Sequence, residues 1–451
     1  MDTANTARIP VPRAAWKVAV LAGMASYLDA GAIVTNGGAL VLYQKEFGFG
    51  AGTLGILSAL LTLLFAVGAL VGGRLGDRFG RRRVFTVTMI GLAVGVAVMA
   101  GAQNVTMLGV GTVLVGFSIG ADLPVSLAMI NEEAPQGAKA RLVAFSHVLW
   151  MLAIGTVLGV QAVVGDLGAT GARIMWLHLL VVAVAVLILR STLPESKEWS
   201  AAHHRAQTGE LADVQGHHLD AGSQLVRKPF VLPLVALALF YGIVNLSANT
   251  GGQFATLLYT ELAGVSVSTA GVLGLVVLGI SFLSALGFMR AIERPNRMVF
   301  FLVGGILYTA AQAIPLVFGI SAVTLVAWQA LQGIGGAFAG EPMWKIWSQE
   351  LFPTLLRSSA QGATTFFTRV LAAVVALWTP LLIEVGPALL FAFLTACVAF
   401  TTALGWFWIR RMPTGQDVEE ALESGASPRE AFALRWGSAL REHLPPRAHD
   451  G

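Results

Sequence analysis

Five formally charged side chains lie inside long apolar stretches of this 451-residue chain: Asp29, Asp122, Glu341, Lys345 and Arg369. Charge in such surroundings is expensive and normally faces a cavity or a partner, so these residues are the first candidates for chemistry. Counted along a helix, Asp122 and Glu341 sit about 13 to 15 Å from Glu132 and Glu350, and Arg369 about 18 Å from Arg357, which places all three near the middle of a bilayer. Lys345 is only about 7.5 Å from Glu350 and can extend to the interface. Three carboxylates against at most two cations leave one acid unpaired, and an unpaired acid in a dry setting binds a proton. Asp29 is the first choice, with Asp122 and Glu341 as further proton-coupling candidates. The alternative is a static Asp29–Arg369 pair that ties helices together. No constellation for bond-breaking catalysis stands out, and the nucleotide-binding string G-x-x-x-x-G-K-[ST] is absent, so neither an enzyme nor a pump with its own ATPase is expected.

A second constellation works by hydrogen bonding. Tyr241, Asn245, Asn249 and Gln253 recur every four residues and therefore share one helix face. Amides donate and accept as hydroxyl groups do, so the face suits a polyol; amides bonding between helices are the other reading. Trp344, Trp150 and Trp347 are candidates to stack on the apolar face of a ring, against the common role of Trp as an interface anchor. Arg369 or Lys345 is the cation that would meet an acidic substrate. His147 reads as a packed polar residue rather than a second proton carrier. His203-His204 and His217-His218 lack Cys or carboxylate ligands at metal spacing, and the lone Cys397 has no partner for an internal disulfide, so no metal and no cofactor are expected.

The elements that must position these residues follow from composition. The chain is 56% hydrophobic and 12% charged, against about 25% charged for typical soluble domains. Twelve apolar runs approach or exceed the roughly 20 residues that cross a bilayer: 18–42, 52–73, 84–102, 107–130, 142–165, 174–192, 230–258, 268–289, 298–318, 322–347, 359–383 and 388–409. The fold class expected is all-α, with twelve transmembrane helices in two six-helix bundles. Apart from Lys345 and Arg369 within spans, only Lys45 and Arg173 among the Lys and Arg residues fall on the side opposite the termini, with Arg190 counted in the loop after span 6. The positive-inside rule then puts both termini in the cytoplasm of a multi-pass cell-membrane protein. The domains expected are an N-terminal bundle over 1–193, a cytoplasmic loop over 194–229, a C-terminal bundle over 230–412 and a tail over 413–451. Ser427-Pro428-Arg429-Glu430 opens an amphipathic helix in that tail, with Phe432, Trp436, Leu440 and Leu444 on one face.

The halves repeat each other. Glu132 and Glu350, Pro135 and Pro353, Lys139 and Arg357, and Pro124 and Pro342 are all separated by 218 residues, and six-span repeats with a midplane site between them are a common plan for secondary transporters.

Gly72-Gly73-Arg74-Leu75-Gly76-Asp77-Arg78-Phe79-Gly80-Arg81-Arg82-Arg83 joins spans 2 and 3. Glycine permits a tight turn, Asp77 can accept from helix ends or arginines, and the arginines hold the loop to the inner face. The string resembles the loop motif of the major facilitator superfamily, and Glu293-Arg294-Pro295-Asn296-Arg297 resembles its degenerate second copy. Leu193-Pro194-Glu195-Ser196-Lys197-Glu198-Trp199 resembles the P-E-S-x-x-W of the sugar porter branch, Glu350-Leu351-Phe352-Pro353 with Arg357 resembles its E-x-F-P-x-x-x-R, and Tyr27-Leu28-Asp29-Ala30-Gly31 resembles its acidic first-helix motif. Residues 22–31 and 347–354 are most similar to bacterial minor-type myo-inositol transporters. The resemblance covers nearly the whole chain before the tail. It implies alternating access, with Gly73, Asp77, Arg78, Gly80, Arg81, Glu132, Glu350 and Arg357 as gating residues. Two departures stand out: Thr112 takes the place of the branch's span-4 arginine, and its Gln-rich span-7 motif is missing in its usual form. Together these features predict a proton-linked importer of a sugar or cyclitol. Its partners are a polar small molecule, a proton and lipid, without nucleic acid, and it is expected to work as a monomer. Organic-acid uptake is the second reading. Drug efflux is disfavoured because Gly155-x-x-x-Gly159 lacks the following Pro, and a non-transporting membrane sensor is disfavoured by the intact loop motif.

Overall fold

The computed structural model describes residues 11–135, 138–196, 199–200, 225, 230–291, 296–352 and 356–414. The tail helix, the paired histidines and most of the loop over 194–229 lie outside them. All regular structure among the described residues is helical. In chain order, α1 is Arg13–Phe47, α2 Ala51–Phe79, α3 Arg81–Ala100, α4 Val105–Glu133, α5 Lys139–Val164 and α6 Ala169–Arg190. The second half supplies α7 (Val231–Gln253), α8 (Ala255–Ala263), α9 (Val267–Ala291), α10 (Arg297–Phe318), α11 (Ala322–Ala339), α12 (Glu341–Glu350), α13 (Arg357–Val385) and α14 (Pro387–Phe407). Among the described residues, twelve segments are long and apolar enough to cross a membrane, as the run lengths predict.

Two of the expected spans are broken helices. Span 7 stops at Phe254 and resumes as α8; Gly251 and Gly252, poor helix formers, precede the break. Span 10 breaks at Gly340, whose backbone leaves the helical region, and Pro342 then occupies the first turn of α12, where its missing N–H costs nothing. Hydropathy alone reads span 10 as a continuous apolar run. The pair Gly340 and Pro342 was the available signal.

The described residues form two compact units, one from Met1–Leu211, Thr250–Leu278 and Ala373–Val385, the other from Ala212–Asn249, Gly279–Ala372 and Gly386–Gly451. In the first, α4 packs on α2 and α3, and α1 packs on α5 and α6. Small residues allow the closest of these contacts. A Cβ at Gly68 or Gly72 of α2 would strike backbone of α4, and one at Gly116 or Gly120 of α4 would strike backbone of α2, which is the small-x-x-x-small packing that substitutes for hydrophobic drive inside lipid. In the second unit the core gathers Phe240, Phe301, Tyr308, Trp347, Phe352 and Val398 between α7, α10, α12 and α14. Large apolar side chains such as Val163, Val181, Leu283 and Val317 remain outward-facing, as a lipid-bathed surface requires.

Candidate functional site

The first unit contains a buried ion pair that changes the charge account. Arg190, 1% exposed, donates from one Nη to both oxygens of Asp122 at 2.8 and 2.9 Å, and Thr88 and Ser126 donate to the same carboxylate. Its Nε and other Nη bond the carbonyls of Leu21 and Ala22 on α1 at 2.7 and 2.8 Å. One guanidinium thus fastens α6 to α4 and α1 at once. Arg190 stands at the polar end of span 6 (174–192), where the charge count above assigns it to the following loop and so allows at most two cations within the spans. A third cation is present, and Asp122 is committed to it. Glu341 is also partnered, by Lys345 one turn along α12 at 2.8 Å, and both side chains are about half exposed. Of the three acids considered for coupling, Asp29 is the one buried on α1, at 4% exposure.

Other polar groups cluster on α1 and its neighbours. Tyr27 lies 3.1 Å from Nε2 of His178 on α6, with the rings edge to face. Gln161 of α5 donates to Thr256 of α8 and to the carbonyl of Val267, both at 3.1 Å. Gln253, at the end of α7, donates to the carbonyl of Ser58 on α2. That bond realises the helix-to-helix reading of this amide. His147 stacks on Trp150 with ring centroids 5.5 Å apart.

The second unit holds the rest of the amide face. Tyr241 stacks on Trp344 with centroids 4.0 Å apart and planes within 10°, and the indole N–H of Trp344 donates to Thr364. One face of the candidate stacking surface is therefore already covered by tyrosine. Trp347 packs against Phe240 and Phe301 at 3% exposure, which makes it core. The side-chain oxygen of Asn245 is buried and accepts no hydrogen bond, while Ser247, one turn away from Gly251, reaches Gln332. Gln332 accepts also from Gln312, and Gln312 accepts from Trp328. This relay joins α7, α10 and α11, and the sequence reading missed it. Asn249 and Arg369 are half-buried members of the same unit.

Each unit carries its own copy of the loop arrangement. Gly80 adopts φ +96°, open to glycine, and a Cβ there would clash with Glu195. Glu195 accepts from the backbone N–H groups of Arg81, Arg82 and Ser196, so a carboxylate sits on the first turn of α3 where free N–H groups and the helix dipole favour it. Arg81 pairs with Glu132 at 2.8 Å. In the second unit Arg297 pairs with Glu350, with Nη2 to Oε2 at 2.8 Å, and Arg357 donates to the carbonyl of Phe352. The repeat seen in sequence therefore recurs as two Arg–Glu pairs, and Glu195 and Arg297, quoted above within matched motifs, are the members without a gating role there. Arg78 lies over the ring of Phe79. The side chain of Asp77 is outside the described residues. Space around Gly73 is open to a Cβ; the tight positions of this motif are Gly72, Gly76 and Gly80. Among the described residues there is no group of three His, Cys, Asp or Glu able to hold a metal.

Comparison with known proteins bears on family and fold. The family model for the Major Facilitator Superfamily matches residues 19–376. The chain is 30% identical over 423 residues, 90% of its length and 93% of the relative's, to the minor myo-inositol transporter IolF of Bacillus subtilis (strain 168). It is 24% identical to the arabinose-proton symporter of the same organism over 69% of this chain and 74% of that one. Among solved structures, the inward-open xylose transporter XylE from E. coli superposes with a TM-score of 0.71 at 16% identity, covering 93% of this chain and 99% of the other.

Proposed function

Because the chain belongs to the Major Facilitator Superfamily, and is a multi-pass membrane transporter rather than an enzyme, we propose that it carries a sugar or cyclitol of the myo-inositol type, linked to a proton, by alternating access. The observation that carries this reading is the pairing of hydrogen-bonding amides with an aromatic stack on α7 and α12, an arrangement suited to a hydroxylated ring rather than a charged one. The relatives' names support it: one carries myo-inositol and another couples arabinose to a proton. Asp29, an acid at 4% exposure on α1 within the first span, is the proton site in this reading. Tyr241, Asn245, Asn249 and Trp344 contact substrate. Gly80, Arg81, Glu132, Glu350 and Arg357 belong to the latches that open and close with the cycle. Both termini are cytoplasmic, following the Lys and Arg bias of the loops, and flux is inward.

Arg369 within a span is the observation that favours a carboxylate substrate instead. Thermal shift of the purified carrier against myo-inositol, its stereoisomers, hexoses, pentoses and small carboxylates separates the two. Stabilisation by cyclitols or sugars supports the proposal. Stabilisation by carboxylates alone overturns it.

A further inference from the structure

The hydrogen-bond relay of the second unit has a direction that its end member sets. An indole N–H can only donate, so Trp328 Nε1, 2.8 Å from Gln312, meets that residue's oxygen. Gln312 is then left to donate from Nε2, also at 2.8 Å, and Gln332 must turn its own oxygen to receive it. The hydroxyl of Ser247 donates to the same oxygen at 3.0 Å. Trp328, Gln312 and Ser247 are all 0% exposed, and a mismatched donor there would stay unmet, so burial enforces this order. Ser247 also has the hydroxyl of Tyr308 beside it. The platform carrying the relay is close-packed: a Cβ at Gly335 of α11 would strike backbone of Gly304 and Tyr308 on α10.

Through this relay α7 meets both halves of the broken span 10. Tyr241 stacks on Trp344 of α12, and about 9 Å further along the helix Ser247 bonds Gln332 of α11. At about 100° per residue, Ser247 points away from the face that Tyr241, Asn245 and Asn249 share. The helix is thus held on two sides and at two heights. Between the two holds lies Asn245, whose side-chain oxygen is buried and meets no donor. An unmet buried acceptor costs free energy, and a loosely held helix would turn to relieve it. The two holds oppose that turn.

We propose that Gln332 is a positioning residue for substrate recognition: by accepting from Ser247 on the rigid α10–α11 platform, it fixes the rotation of α7 so that the Asn245 oxygen stays unmet and ready to accept from a substrate hydroxyl. The inference rests on the polyol reading above, in which Asn245 contacts substrate, and adds to it the residues that aim that contact.

The test is a double-mutant cycle on myo-inositol binding to the purified full-length carrier, using wild type, Asn245→Ala, Ser247→Ala and the double variant, with Gln332→Met and Gln332→Glu alongside. Asn245→Ala should weaken binding by about 5- to 150-fold. Ser247→Ala, which leaves the Gln312–Gln332 bond in place, should weaken it by about 2- to 20-fold whatever its cost in Tm. The double variant should bind no more weakly than Asn245→Ala alone, a non-additivity that a merely structural role for Ser247 would not produce. Gln332→Met should resemble Ser247→Ala, and Gln332→Glu, whose carboxyl oxygen can accept the same two bonds, should bind within about 3-fold of wild type. Should Gln332→Met not fold, the Ser247 and Asn245 cycle decides alone. Wild-type affinity in Ser247→Ala, or losses that add in the double variant, overturns the inference and leaves the polyol reading standing. A wild type that binds no polyol overturns both.

Discussion

At the residue scale the decisive feature is how charge is neutralised inside the bundle. Asp122 and Arg190 are both almost fully buried and share six hydrogen bonds with α1, α3, α4 and α6 partners or each other. Removing one partner of such a pair strands the other, which costs about 3 to 5 kcal/mol. Asp122→Asn should therefore sharply lower the yield of monodisperse carrier and its Tm, and Asp122→Asn combined with Arg190→Gln should recover much of the loss. A variant Asp122→Asn that is fully stable yet uncoupled would place Asp122 in the proton path instead. Asp29→Asn differs in expectation. As a permanent mimic of the protonated acid, it should abolish accumulation against a gradient while exchange of labelled for unlabelled substrate continues. The positions of the acids were legible in the sequence, since each interrupts an apolar run. Their partners were not, because Arg190 lies 68 residues from Asp122 and at the polar end of its span, where composition alone assigns it to a loop.

At the element scale two kinds of helix contact separate. Gly72 and Gly120 sit where α2 and α4 touch backbone to backbone, whereas Gly73, next along the same motif, faces open space. Gly72→Leu or Gly120→Leu should force these helices apart and lower stability by a few kcal/mol, in the range of about 1 to 3 kcal/mol or more seen for overpacked cores. Gly73→Leu should fold normally, and differential scanning of the three variants checks the contrast. The Gly-rich composition announced close packing, but a glycine facing a neighbour and one facing lipid read alike in sequence. Loop pairing behaves similarly. The motif string was readable at sight, yet its anchor, Glu195, comes from the loop after span 6. Glu195→Gln removes a charge from the N-terminus of α3 and should cost about 0.5 to 2 kcal/mol in stability. It should shift the conformational equilibrium as well, measurable as altered labelling of single cysteines introduced in a Cys397→Ser background. Unaltered stability and labelling would reduce Glu195 to a bystander. Broken helices were the other omission: Gly340 and Pro342 interrupt span 10, and irregular backbone within a span is tolerated beside protein or a cavity.

At the scale of the whole molecule, the twelve spans, their lengths and the repeat at 218 residues were available from the sequence, because hydropathy over 20 residues is a strong signal. Substrate chemistry is a weaker one, carried by a handful of amides and rings whose bonds are tertiary: Gln253 serves a neighbouring helix, while Asn245 keeps an unmet oxygen. The account stands or falls on proton-linked polyol transport. The direct measurement is accumulation of labelled myo-inositol in proteoliposomes containing the wild-type carrier, with an acid-outside pH gradient and with that gradient collapsed by an ionophore. The account predicts uptake above the equilibrium level with the gradient and only equilibration without it. Uptake of myo-inositol that ignores the gradient would contradict the coupling, and no uptake under either condition would contradict the account as a whole.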